Sequence, residues 1–185
     1  MNNLNDLDII EHVLRGDTEA FGVLVGRYST PVFHLVRRIA GNREDAEEIA
    51  QDTFVKAYGS LRKFRKESSF SSWIYRIAYN TAITYLRKKK AVRFSDLHDE
   101  RLRFGEDEEG PEEFDPGGYP KEQQLQRLEK AMDHLPPDDR ALLVLFYQED
   151  KPVREIAGIV SQSEGNVKIR LHRIRKRLAL IYEKL

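Results

Sequence analysis

The sequence predicts an all-α fold of two small helical domains joined by a flexible acidic linker. Apolar residues recur three and four apart through both ends of the chain, the alternation a strand needs is scarce, and no internal repeat is present. Between the ends lies DLHDERLRFGEDEEGPEEFDPGGYPKE, rich in Glu, Asp, Gly and Pro. That stretch offers too little apolar surface to offset the entropy of ordering it. The domains therefore fall at residues 1–95 and 122–185, with the linker at 96–121.

Ile9, Ile10, Val13 and Leu14 have helical spacing and open the first domain. Asp17 is placed to cap a second helix with apolar positions Phe21, Leu24, Val25, Tyr28, Val32, Leu35, Val36 and Ile39. Pro31 inside that pattern predicts a kink or break. Gly41 and Asn42 mark a turn, and Asn42 caps a third helix through about Leu61. After the polar loop FRKESSFS comes SSWIYRIAYNTAITYLRKKK. At about 100° per residue, Ile74, Ile77, Ala78, Thr81 and Tyr85 share one face, expected to pack. Arg76, Asn80, Ile83 and Arg87 lie opposite; Tyr75, Tyr79 and Leu86 form one flank, and Trp73, the only tryptophan, the other.

In the second domain a helix is expected from about Gln123 to His134, then a break at Pro136, Pro137 and Asp138. A helix through Leu142, Leu143, Leu145 and Phe146 follows, then two closely spaced helices, Val153–Val160 and Glu164–Tyr182.

Composition narrows the function. The 185 residues carry no net formal charge, yet the charge is segregated. It amounts to about +5 over residues 1–95, about −8 over 96–122 and about +3 over 123–185. With no cysteine there are no disulfides, thiolate metal sites or cysteine nucleophile. No apolar run approaches a membrane span, so no membrane insertion is expected, and the N-terminus lacks the pattern of a secretory signal, so a cytoplasmic location is. Histidines 12, 34, 98, 134 and 172 are scattered, and neither a P-loop nor a dinucleotide-binding turn is present. Asp45, Glu48 and Asp52 share a helical face, but the histidine partners of a carboxylate di-metal site are missing. No catalytic residue, metal or cofactor is expected, and the protein reads as a non-enzyme.

The same acidic face admits two readings. It can be a solvated surface near a helix start, favoured by the helix dipole. Alternatively, Asp45, Glu48, Gln51 and Asp52 can dock a basic partner surface, with Phe54 and Val55 as apolar anchors.

PVREIAGIVSQSEGNVKIRLHRIRKRL is the most specific signal. Ile156, Ala157 and Val160 form one apolar face, a turn follows at Ser161 and Gln162, and Ser163 can cap the next helix. That helix turns Val167, Leu171, Ile174 and Leu178 inward and Lys168, Arg170, His172, Arg173, Arg175, Lys176 and Arg177 largely outward. The pattern is a helix-turn-helix, whose second helix enters the major groove with its N-terminal residues on base edges. Ser163, Glu164, Asn166, Lys168, Ile169 and Arg170 occupy that start. Arg and Lys can bond guanine edges and Asn166 adenine, whereas Lys176 and Arg177 are placed for phosphates.

The order of these parts resembles bacterial RNA polymerase sigma factors of the extracytoplasmic-function group, over nearly the whole chain outside the linker. DAEEIAQDTFVKAY resembles the family's core-binding segment and FRKESSFSSWIYRIAYNTAITYLRKKK its promoter-melting and minus-ten-reading segment. LPPDDRALLVLFYQEDKPVREIAGIVSQSEGNVKIRLHRIRKRL resembles its minus-thirty-five-reading domain. The resemblance implies a promoter-specific initiation factor, tied to stress response, that makes no covalent change itself. Its implied partners are core polymerase, through the clamp coiled coil and the flap, promoter DNA and an anti-sigma factor. It favours the docking reading of Asp45, Glu48, Gln51, Asp52 and Phe54. It also places an extruded minus-ten base on Lys66, Ser68, Ser69 and Ser72, with Trp73, Arg76, Asn80 and Arg87 nearby, and sets Lys168, His172 and Arg173 on the minus-thirty-five element.

Two positions depart from the family's pattern. Ser161 stands in the turn where relatives often have glycine, and Ile169 where Ser or Thr is frequent, which suits contact with a thymine methyl. The linker replaces the middle domain of housekeeping members, and its charge can imitate a nucleic acid. Melting still needs the polymerase. A bubble of about ten steps costs roughly 14 kcal/mol, and each captured base returns only about 1–3 kcal/mol.

Overall fold

The computed structural model describes residues 4–93 and 120–185, which among them form helices and no strands. Most of the expected linker, residues 96–119, lies outside the described residues. Helix α1 (Asp6–Leu14) begins at Asn5, whose side chain accepts a bond from the Asp8 backbone N–H at 3.0 Å. Asp17 accepts from the Ala20 N–H and caps a short 3-10 turn, Thr18–Ala20, which runs straight into α2 (Phe21–Ala40).

Pro31 does not interrupt α2, contrary to the expected kink or break. Its ring forgoes one backbone bond, but Leu24, Val32, Leu35, Val36 and Ile39 are fully buried on both sides of it, and that packing holds the helix through. Gly41 ends α2 in the left-handed region, φ 83°, and Asn42 caps α3 (Arg43–Ser60) through a 2.9 Å bond from the Asp45 N–H. A second 3-10 turn, Leu61–Lys63, leads to the loop before α4 (Phe70–Arg93).

The C-terminal part holds α5 (Lys121–Asp133), α6 (Pro137–Leu143), α7 (Val153–Val160) and α8 (Glu164–Lys184). Pro137 takes the first position of α6, where its missing N–H costs nothing. The helix expected through Phe146 instead widens at Val144–Gln148 into one π-type turn. Ala131, Leu142, Val144, Ile156, Val167 and Ile181 fill the space among these helices.

The two halves pack together: α6 lies on α2 and α7 lies on α4, so one apolar core runs from Ile9 to Tyr182. Arg140 is the main polar peg. It is 6% exposed, and its guanidinium donates to the Ile39 carbonyl at 3.0 Å, beside Gly41. A cation at the C-terminus of α2 also suits the helix dipole.

Candidate nucleic-acid interface

Three surfaces carry the residues singled out in the sequence. The first is α3. Glu48, Gln51, Asp52 and Val55 are exposed along it, while Phe54 is half-buried against the core. Asp45 is different: its side chain is 8% exposed, Lys89 Nζ lies 2.6 Å away, and the Tyr85 hydroxyl lies within hydrogen-bond distance of both Asp45 (2.9 Å) and Glu48 (3.0 Å). Burial alone would raise the Asp45 pKa, but bonds from Lys89, Asn42 and Tyr85 hold it below the ordinary carboxylate value. Those carboxylates in turn push the Tyr85 phenol up. Asp45 thus ties α3 to α4, and the outward acidic stripe is Glu48, Gln51 and Asp52.

The second surface is the loop before α4 and the face that follows. Phe64, Phe70 and Trp73 form a ring cluster with centroids 5.3–5.9 Å apart, and Tyr28 joins Phe70 at 5.3 Å. Phe64 and Phe70 are buried and Trp73 is half-buried, so packed aromatic rings anchor both ends of the loop between Phe64 and Phe70. Ser69 caps α4, accepting from the Ser72 N–H at 3.1 Å; a serine just before the apolar run is the sequence signal for this helix start. Lys66 has φ 61° and reaches Glu11 at 3.0 Å; that bond and the lysine charge lower the Glu11 pKa.

Lys66, Ser68, Ser69, Arg76, Asn80 and Arg87 are exposed, and Asn80 edges an open groove with Lys56, Ser60 and Thr84. Ser72 departs from the expected set: it is 5% exposed, and its hydroxyl donates to Glu155 of α7. The expected core face holds, with Ile74, Ala78 and Thr81 buried and Ile77 and Tyr85 half-buried. The flank of Tyr75 and Tyr79 is buried as well, because the C-terminal helices cover it; their hydroxyls donate to Glu149 and Asp138. Desolvation, reinforced by those acids, pushes both phenols up.

The third surface is the α7–α8 hairpin. Ser161 adopts the left-handed conformation, φ 56° and ψ 46°, and Ser163 accepts from the Asn166 N–H at 3.2 Å to cap α8. Val167, Leu171 and Ile174 are buried, and Ser163, Glu164, Asn166, Lys168, Ile169, His172 and Arg173 are exposed on the opposite side, with Lys176 half-buried. Arg170 does not join that face: it bonds Asp139 of α6 at 2.7 Å and braces α8 from below.

Comparison with known proteins agrees with this geometry. Residues 24–92 match sigma-70 region 2 and residues 125–178 match sigma-70 region 4. The RNA polymerase sigma-H factor of Pseudomonas aeruginosa is 31% identical over 177 residues, covering 92% of this chain and 90% of that protein. The chain belongs to the extracytoplasmic-function group of the sigma-70 family.

The ECF RNA polymerase sigma-E factor of Escherichia coli is 33% identical to this sigma factor over 185 residues, covering 94% and 92% of the two chains. In fold it is similar to the sigma factor RpoE of Bartonella quintana, solved with the anti-sigma factor NepR, at a TM-score of 0.67 and 22% identity over 88% of this chain and 96% of that one. CnrH, solved with the cytosolic domain of CnrY, gives 0.66 and 22% over 97% of each chain. As a member of this family the sigma factor acts in promoter-specific transcription initiation and is not an enzyme. Among the described residues no helix is long and apolar enough to cross a membrane.

Proposed function

We propose that this sigma factor works in the cytoplasm and divides core binding and promoter recognition among the three surfaces. Residues 1–95 act as the core-binding and minus-ten unit, 122–185 as the minus-thirty-five unit, and 96–121 as the tether. Glu48, Gln51 and Asp52 with Val55 and Phe54 dock a basic surface on the polymerase clamp. The loop Lys66–Ser69 holds an extruded base beside Trp73, while Arg76, Asn80 and Arg87 follow the strand. Lys168, Ile169, His172 and Arg173 read duplex edges, with Lys176 on phosphate. An anti-sigma factor, such as the one bound by the Bartonella protein, is the expected antagonist.

The observation that carries this reading is the α7–α8 hairpin, whose second helix is capped at its start and presents a polar and basic outer side over an apolar inner one. Adding the full chain to sigma-free core polymerase on fragmented genomic DNA is expected to give discrete transcription starts. Random initiation alone, with active controls, overturns the proposal.

A further inference from the structure

Tyr85 of α4 stands between two carboxylates of α3. Its hydroxyl lies 2.9 Å from Oδ1 of Asp45 and 3.0 Å from Oε2 of Glu48. A phenol carries one hydrogen and donates to one acceptor at a time. Asp45 is already well supplied: Lys89 Nζ lies 2.7 Å and 2.6 Å from its two oxygens, and the Asn42 side-chain amide donates to Oδ2 at 2.6 Å. Glu48 is exposed and, among the described residues, has no other hydrogen-bond or ion-pair partner. The phenol hydrogen therefore belongs on the bond to Glu48. We propose that Tyr85 is a positioning residue for polymerase docking, its hydroxyl holding the Glu48 carboxylate in the orientation that a basic side chain of the polymerase meets. This rests on the assignment of Glu48 to the docking stripe.

The chemistry of the donor suits that role. A lysine or arginine beside Glu48 would fix the side chain but also neutralise it, and an incoming cation would first have to displace it. Asp52, in the same stripe, has such a neighbour in Lys56, 3.8 Å away. A phenol fixes the carboxylate and leaves its whole charge for the partner. The bonds to Asp45 and Glu48 push the Tyr85 phenol up, so it stays a neutral donor at neutral pH. Its bond takes Oε2, which leaves Oε1 of Glu48 to accept from the polymerase. The cation at this site, Lys89, is directed instead to the buried Asp45. One helix thus supplies a charge where α3 must be neutralised and an uncharged hydroxyl where α3 must stay negative.

Tyr85 is itself held. It is half-buried against the core, and Lys89, one turn on, places Nζ 5.9 Å from the ring centroid. A donor fixed in this way removes rotamer freedom from Glu48 before the partner arrives, and freedom already lost no longer opposes association. The orientation of an exposed glutamate is in this way set by the helix behind it.

Binding of the full chain to sigma-free core polymerase tests the role. Tyr85→Phe keeps the ring and removes the hydroxyl. It is expected to weaken core binding about three- to tenfold, with the slope of log affinity against log salt unchanged because no charge is lost. Glu48→Ala is expected to weaken binding at least as much and to flatten that slope. In the Glu48→Ala background, Tyr85→Phe is expected to add nothing. Unchanged affinity in Tyr85→Phe beside a weakened Glu48→Ala overturns the positioning role. So does a loss from Tyr85→Phe that is equal in both backgrounds, which marks a plain brace between α3 and α4. Unchanged affinity in Glu48→Ala removes Glu48 from the docking stripe and the role of Tyr85 with it. Failure of the sigma reading shows separately, as absence of core-dependent promoter starts.

Discussion

Lys89 near the end of α4 holds Asp45 at the start of α3, Nζ to Oδ2 at 2.6 Å, with the carboxylate almost wholly out of water. Removing the lysine leaves that buried charge with fewer partners. Lys89→Met is expected to lower stability by about 1.5–3 kcal/mol, read as the shift in a urea unfolding midpoint at unchanged slope. An unchanged midpoint would show that Asn42 and Tyr85 suffice alone.

The same site has a pH signature. The Asp45 pKa in the folded chain lies below its ordinary value of 3.8, so the unfolded state binds this proton more readily. Its stabilisation is complete above that ordinary value and is lost as pH falls through the lower folded value. Asp45→Asn is therefore expected to cost stability at pH 7 and to flatten the acid limb below pH 3.8, relative to the parent chain. Parallel acid limbs would contradict the assignment.

Asp52 is exposed, and Lys56 lies 3.8 Å away, a surface pair worth little. Asp52→Lys is expected to leave the unfolding midpoint within about 0.5 kcal/mol of the parent while weakening core polymerase binding at least tenfold. Equal core affinity would remove Asp52 from the docking stripe.

Ser161 pays for a left-handed backbone that glycine adopts freely. Ser161→Gly is expected to stabilise the protein by about 1 kcal/mol, measured by thermal or urea unfolding, with promoter choice unchanged. A loss of stability would mean that the entropy glycine adds to the unfolded chain outweighs the relief.

Arg170 and Arg173 sit three residues apart on α8 but do opposite jobs. Arg173→Ala is expected to cost about 1–3 kcal/mol in minus-thirty-five recognition with little change in stability. Arg170→Ala loses the bond to Asp139 and is expected to reduce stability by about 1.5–3 kcal/mol. Promoter-binding titrations beside unfolding curves separate the two, and a reversal would place Arg170 on the DNA.

Local features were readable because their causes are local. Asn42 and Ser163 are caps whose partners lie three residues on, and Val153–Val160 follows directly from its apolar spacing and the proline before it. Tertiary partners were not readable. Pro31 is carried through by packing on both sides, and Arg170 is turned inward by an aspartate 31 residues away. Helical spacing places Tyr75 and Tyr79 on a flank, and nothing in their helix announces that α6, α7 and the turn between them cover it. Among the docking residues expected from sequence, Asp45 has neighbours that could not reveal that Lys89, 44 positions on, already occupies it.

The single tryptophan gives the protein an optical reporter at an informative place. Trp73 is half-buried on Phe64 and Phe70, the rings that flank the loop proposed to capture a base, and one residue from the Ser72–Glu155 bond. Every photon emitted at tryptophan wavelengths comes from that spot, so binding of a minus-ten oligonucleotide at the proposed loop can be followed in unlabelled protein.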